Sequence, residues 1–438
     1  MRYKPYGNIL YEKEDRAGIM RRIGIIGGGA AGMAAAITAA RNDRQAKVWI
    51  LEQKEKIGKK ILATGNGRCN LTNCQIDGSC AENGYRGEDL PFVKKVLERF
   101  GYKETMEFFE SLGLVAKRRG DYVYPRSDQA SSVLELLELE LRRLGVEVYC
   151  GGKVTAVAPE SRGFNITVSE NQKKRELKAD RVILACGGRA ASTFGSDGSG
   201  YDLAKSLGHH MTPVVPALVQ LKVKNHPFAK ASGVRAKARV TALVDGAKVA
   251  ADAGELQITA YGISGIPVFQ ISRFLAYGLY QKKRAEVSLD LLPEYTEEEA
   301  GELFVKLAGQ RDRRTIGECL TGVFHRKLIP RILELSGTEI HEKVGALDKR
   351  SLFALAGKCK KIILTISDTN GFENAQVCAG GVRTKEVCPA TMESRCVRGL
   401  YLAGELLDAD GICGGYNLQW AWATGCIAGK AAADAAAF

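Results

Sequence analysis

The sequence predicts an α/β fold in which a Rossmann-like, dinucleotide-binding sheet is interrupted by a β-rich and then a helical insertion. Three observations carry this. A β-branched run at 23–26 leads into Gly27-Gly28-Gly29-Ala30-Ala31-Gly32 and an alanine-rich stretch to Ala40. A second apolar run at 47–51 ends on Glu52, and runs of the same buried-strand type recur near both ends of the chain.

The first unit reads as strand, turn, helix, strand. Gly27 permits the tight turn, Gly29 lets backbone approach a pyrophosphate, and Gly32 lets the helix pack on the strand. The N–H groups at Ala30 and Ala31 open the helix toward phosphate, and Glu52, twenty residues after Gly32, suits a ribose diol. Residues 146–150 and 164–169 read as strands of a meander, and 181–186 as a buried strand entering Gly187-Gly188. Residues 361–366 and 400–403 add two strands of the same sheet, the second entering Gly404-Glu405. Sheet strands at both ends make the middle an insertion.

Within the insertion, 217–223, 238–244, 248–251 and 256–260 read as short strands with a hairpin at Asp245-Gly246. A helix is expected at 267–277, and Thr296 with Glu299 forms a capping box before further helical pattern from 316 to 355. The expected organisation is therefore a first nucleotide-binding part at 21–212, an inserted β-barrel subdomain at 213–292, a helical subdomain at 293–357 and the second nucleotide-binding part at 358–438. The first twenty residues are polar and unpatterned and read as a tail, and the alanine-rich stretch 428–437 closes a last helix.

With 438 residues, 45% hydrophobic and 26% charged, the chain is globular, and disorder, collagen and coiled-coil classes are excluded. Its 63 Lys and Arg against 50 Asp and Glu leave +13, but the basic clusters are short and scattered with no aromatic interleaving, so nucleic acid is not expected as a partner. Twelve cysteines without any CxxC pair argue against disulfide scaffolds and zinc ribbons and for a reducing cytoplasm. The longest apolar run, 23–40, holds five glycines and is not a membrane span. His209, His210, His226, His325 and His341 show no HExxH or paired ligand spacing, so no metal is expected.

The turn at 27–32 serves NAD and FAD alike, and the choice rests on two further glycine-rich stretches able to hold a flavin. The first, 63–73, contains Gly67, Arg68, Cys69, Asn70, Leu71 and Thr72; the second, 404–419, contains Gly404, Glu405, Gly415, Asn417 and Leu418 and opens a helix. The N-terminus of that helix would point its positive end at a flavin carbonyl. Gln53, Lys59, Lys60, Gly187 and Gly188 complete the expected cofactor-binding set.

These stretches, with Tyr124-Pro125, the glycines at 195–200, the run 254–265 and Ala379 to Gly381, resemble the YhiN-like and BaiN-like family of bacterial FAD-dependent oxidoreductases. The GRCNLTN and GGYNLQWAWATG segments are its specific marks. The resemblance implies a discontinuous FAD domain with an inserted barrel and helical domain, and FAD contacts at Ala31, Glu52, Arg68, Asn70, the backbone of Val154, Glu405, Asn417 and Leu418. It also implies a small-molecule substrate, a conjugated enone of the 3-oxo-Δ4,6 bile-acid or steroid type, with NAD(P)H as transient reductant. Amine oxidation of the aminoacetone type, RNA-associated flavin chemistry and a non-catalytic redox sensor are the alternatives.

Where the family pattern has a histidine before the aromatic of the run 254–265, this chain has Ala260. Reducing a conjugated C=C needs a proton donor and a hydrogen bond to the carbonyl, and a hydroxyl serves either purpose. Tyr261, Ser264 and Tyr416 are the catalytic candidates.

Overall fold

The computed structural model describes residues 4–5, 20–171, 173–309 and 314–434. It divides into two compact units, one of residues up to 214 together with 377 onward, the other of 215–376.

The first unit is built on a six-stranded parallel sheet in the order Lys4–Pro5, Glu147–Cys150, Lys47–Glu52, Arg22–Ile26, Arg181–Leu184, Leu400–Leu402. Both central strands, Arg22–Ile26 and Arg181–Leu184, are buried along nearly their whole length, the pattern of a sheet covered on both faces. The helix Ala30–Asn42 follows the first strand directly. Gly27 has φ +107°, and a Cβ there would lie 2.3 Å from the Ala185 carbonyl oxygen; one on Gly32 would lie 1.9 Å from the Gly27 oxygen. No side chain fits either position, which is the packing the glycine spacing requires.

Two expectations for this unit need correcting. Glu147–Cys150 belongs to the parallel sheet, and the antiparallel meander consists of Lys153–Pro159, Phe164–Glu170 and Lys173–Ala179. The first twenty residues are not wholly without structure, since Lys4–Pro5 pairs with Tyr149 and Cys150 at the sheet edge. The rest of that segment up to residue 19 lies outside the described residues, as do residues 435–438 of the predicted tail helix.

The second unit is a closed barrel in the order Leu221–Val223, Gly262–Ser264, Ala247–Ile258, Arg235–Val244, Ala285–Asp290, Ile362–Thr369. Alternation places Ala238, Val240 and Ala242 inside and Arg235, Lys237 and Arg239 outside. The expected strands at 248–251 and 256–260 are one twelve-residue strand, and the expected helix at 267–277 is Ile266–Tyr280. Ile362–Thr369 was expected in the nucleotide-binding sheet but closes the barrel, pairing with Ala285–Asp290 and Leu221–Val223. The expected start of the second nucleotide-binding part at 358 therefore falls inside the barrel unit, which extends to residue 376. Between the last two barrel strands run Glu297–Gly309, opened by the Thr296–Glu299 box, then Ile316–Leu320, Ile329–Ser336 and Lys349–Lys360. Among the described residues, no helix is long and apolar enough to cross a membrane.

Candidate cofactor site

In the first unit, the carboxyl ends of the parallel strands carry the glycine turns. Glu52 Oε2 accepts the Gly28 N–H at 2.9 Å and Oε1 accepts the Lys54 N–H at 2.8 Å. Burial raises its pKa above the ordinary carboxylate value, and these backbone donors work against that rise. The carboxylate is thereby fixed between the phosphate turn and Gly195, where a Cβ would come within 3.5 Å of Oε1. Gln53 reaches the same loop, donating to the Gly195 carbonyl.

The helix Ala30–Asn42 begins at Gly29 with no side-chain cap and no acid in its first turn, and a Cβ on Gly29 would meet nothing within 4 Å. Uncapped N–H groups behind an open glycine are a cradle for an anion such as a pyrophosphate. The loop at 64–70 turns back on itself through positive φ at Gly65, Asn66, Gly67 and Cys69. Cys69 is fully buried, which pushes its thiol up to about 12 and makes it an inert packing group. Arg68 is half-buried beside it. With its amide oriented to satisfy its neighbours, Asn70 donates to the carbonyls of Thr72 and Val123 and accepts the Gly415 N–H, which ties this loop to the C-terminal one.

That C-terminal loop enters through Gly404, Glu405 and, after Gly414 and Gly415 at φ +122° and +97°, opens the helix Tyr416–Asp434. The helix organises both glycine-rich stretches. Trp420 Nε1 donates to the Gly404 carbonyl at 3.1 Å, and Thr424 Oγ1 accepts the Gly404 N–H at 2.8 Å. Trp422 Nε1 donates to Leu71 O at 3.0 Å, and Thr72 Oγ1 donates to Gln419 Oε1 at 2.6 Å. Asn417 spends both amide atoms on Gly411, at 2.8 Å each, so its side chain closes the loop; half-buried Leu418 follows it in the first turn.

Glu405 accepts Lys60 Nζ at 2.7 Å through one oxygen and the Cys378 N–H at 2.9 Å through the other. A Cβ on Gly188 would come within 2.9 Å of both Glu405 Oε1 and the Tyr201 hydroxyl, so Gly187-Gly188 runs directly over these groups. Burial pushes the Tyr201 phenol well above its ordinary range, leaving it a neutral hydroxyl. Lys59 instead pairs with Glu55 at 2.7 Å on the exposed side of its helix. Val154 is buried in the meander strand opposite Val168, with only backbone to offer.

The structure thus gathers Gly27, Gly29, Ala30, Ala31, Gly32, Glu52, Gln53, Lys60, Gly187, Gly188, Gly404 and Glu405 around the strand ends, and links Asn70, Leu71 and Thr72 to Gly415 and the helix behind it. The fixed acid, the uncapped helix and the paired glycine loops fit a flavin adenine dinucleotide. Tyr201 was not singled out from sequence, and Gln419, Trp420, Trp422 and Thr424 entered only as part of the GGYNLQWAWATG segment, with no role given to any of them.

The three catalytic candidates differ sharply. Tyr416 is 8% exposed, with its ring edge-on to Tyr85 at 5.5 Å, a core position. Ser264 is buried in a barrel strand paired with Gln257. Tyr261 is 41% exposed, and its hydroxyl oxygen accepts from Asn370 Nδ2 at 3.2 Å.

Residues 21–431 match the family described as HI0933-like protein Rossmann domain. The chain is 60% identical over 415 residues to the 3-dehydro-bile acid delta(4,6)-reductase of Clostridium scindens, covering 95% of this chain and all of that one. It is 28% identical to the ribosomal RNA dihydrouridine synthase of Escherichia coli, over 91% of this chain and 95% of that one. Among solved structures, the 3-ketosteroid delta1-dehydrogenase of Sterolibacterium denitrificans matches with a TM-score of 0.51 and 13% identity, covering 94% of this chain and 99% of that one, a likeness of fold.

Proposed function

The chain belongs to the HI0933-like family and is an FAD-dependent oxidoreductase, and from that premise we propose that it saturates a C=C bond conjugated with a carbonyl in a 3-oxo-Δ4,6 steroid of the bile-acid type. The observation that carries this reading is the 60% identity to a reductase of that name across 95% of the chain. When bound, FAD supplies the hydride. Glu52 and the N–H groups of the helix Ala30–Asn42 are the residues we assign to its adenosine and pyrophosphate portions, and the loops at 64–72 and 404–418 to the rest. Lys60, neutralised by Glu405, positions that carboxylate at the cofactor cradle.

Tyr261 is our choice for the proton donor. Its oxygen already accepts from Asn370, so its own proton is turned away from that amide and is free to be given. Ser264 and Tyr416, both buried, serve packing in this reading. NAD(P)H is the proposed reductant, and twelve free thiols support a reducing cytoplasm as the site of action. The inserted unit is read as one barrel whose helical part enters between its last two strands.

A second reading is favoured by the relatives named as ribosomal RNA dihydrouridine synthases: the C5=C6 bond of uridine is likewise conjugated with a carbonyl. An anaerobic absorbance titration of the yellow protein with NADPH and NADH, followed by substrate, separates the two. Reoxidation by a 3-oxo-Δ4,6 steroid supports the first reading. Reoxidation by uridine-containing ribosomal RNA alone, with steep salt sensitivity, replaces it with the second. Reduction without reoxidation by either overturns both.

A further inference from the structure

From the juxtaposition of His209, Glu386 and Cys396 in the first unit we infer a binding site for one structural divalent metal ion of the zinc type, remote from the cofactor cradle. The three residues are separated by as many as 187 positions in sequence, yet their ligand atoms all lie within 4.8 Å of one another. His209 Nδ1 stands 3.0 Å from Glu386 Oε2 and 3.8 Å from Cys396 Sγ. In a tetrahedral zinc site the corresponding nitrogen–oxygen and nitrogen–sulfur edges are about 3.3 and about 3.6 Å, given zinc bonds of about 2.0 to 2.3 Å. These two edges need only a few tenths of an ångström of adjustment, and the third, between Glu386 and Cys396, lies within 4.8 Å and would close on the ion.

The surroundings are those of a held ligand set. The imidazole of His209 is fully buried, and its other nitrogen, Nε2, lies 2.8 Å from Ser394 Oγ, the outer partner that fixes a ligating ring. The second oxygen of Glu386 is 2.7 Å from His210 Nδ1, a contact that holds the carboxylate in place, and the fourth position is left to water. Mixed nitrogen, sulfur and carboxylate donors suit zinc and its neighbours and disfavour magnesium and calcium.

Position assigns the role. Glu386 ends the turn Thr384–Glu386, and Ser394 and Cys396 precede the strand Leu400–Leu402; the two segments are joined by the Val387–Ser394 bridge and by the Arg395 N–H to the Glu386 carbonyl at 2.7 Å. These groups sit before the amino end of that sheet strand, whereas cofactors of this architecture bind at the carboxyl ends. A metal here would clamp the segment that delivers Gly404 and Glu405 to the cradle, without entering redox chemistry. Metal binding displaces the Cys396 thiol proton, so affinity rises with pH.

The test uses the full-length flavoprotein, stripped with a chelator and titrated anaerobically with cobalt(II), whose tetrahedral bands lie to the red of flavin absorption. The inference expects those bands to saturate at one ion per chain, to be displaced by zinc, and to fall at least tenfold in affinity in Cys396→Ala and in Ser394→Ala. Zinc should raise the thermal midpoint of the wild type and not of Cys396→Ala, which removes an exposed side chain and leaves the fold intact. No tetrahedral bands at stoichiometric cobalt, or bands that survive in Cys396→Ala, would overturn it.

Discussion

The Thr72 hydroxyl donates to Gln419 Oε1 at 2.6 Å, across 347 positions of sequence. Gln419 is fully buried and spends its whole amide: Oε1 also accepts from Thr105 at 2.8 Å, and Nε2 donates to the Phe100 and Gly101 carbonyls at 3.0 Å each. One side chain therefore ties the loop before Thr72 to the helix after Gly415. Gln419→Leu leaves four buried polar groups without that partner and is expected to destabilise the protein by about 3 kcal/mol, since each such loss costs about 1–3 kcal/mol and relaxation recovers part. Chemical denaturation measures this, and FAD retention through gel filtration should fall with it.

Glu52 gives a pH signature. Its folded pKa is raised above the ordinary 4.5, chiefly by burial. Between the unfolded and the raised folded value the native state holds the extra proton, so this group's contribution to stability declines as pH rises through that window. Glu52→Gln should remove this pH-dependent decline from the FAD-free protein, while costing one of the two backbone N–H bonds, since an amide nitrogen cannot accept. The same substitution should weaken FAD binding roughly 10-fold or more by replacing charged hydrogen bonds of about 1.5–3 kcal/mol with neutral ones. Thermal melts of the FAD-free variant beside flavin fluorescence titrations read the two effects separately; a wild-type FAD affinity would misplace the adenosine end.

The phosphate turn was legible because every part of it is local: strand, three spaced glycines, helix and acid follow one another within 23–52. The strand Ile362–Thr369 misled because a β-branched run has the same composition in either sheet. Its outward Ile363 and inward Ile362, Leu364 and Ile366 show the half-buried alternation of a barrel wall, unlike the wholly buried Arg181–Leu184. The roles of Gln419 and His209 were not legible, because each draws its meaning from partners more than 170 positions away.

Gly429 and Gly425 let the C-terminal helix lie against the helix Ala30–Asn42. A Cβ on Gly429 would fall 2.2 Å from the Ala35 carbonyl oxygen, and one on Gly425 2.3 Å from that of Ala31. In an exposed helix Gly→Ala would stabilise by about 1 kcal/mol through backbone entropy. Here the backbone cannot yield as a flexible side chain would, and overpacking costs about 1–3 kcal/mol. Gly429→Ala is therefore expected to lower the denaturation midpoint, and a rise would show that the two helices can separate freely.

Tyr261 is the decisive position for the proposed chemistry. If its hydroxyl gives the proton that completes C=C reduction, Tyr261→Phe should slow reoxidation of the reduced enzyme by the enone about 100- to 10,000-fold, the usual worth of a positioned general acid. Reduction of the flavin by NAD(P)H needs no such donor and should stay within a few-fold of wild type. Asn370→Ala should produce a smaller loss in the same half-reaction, because Asn370 orients the hydroxyl through the 3.2 Å bond to its oxygen. Tyr416→Phe, a change inside the core, should leave that half-reaction unchanged. Anaerobic stopped-flow of the two half-reactions separates these outcomes. A Tyr261→Phe variant that reoxidises at the wild-type rate would move the proton to solvent or to another group, and the enone reading would then rest on the likeness to the bile-acid reductase without an assigned donor.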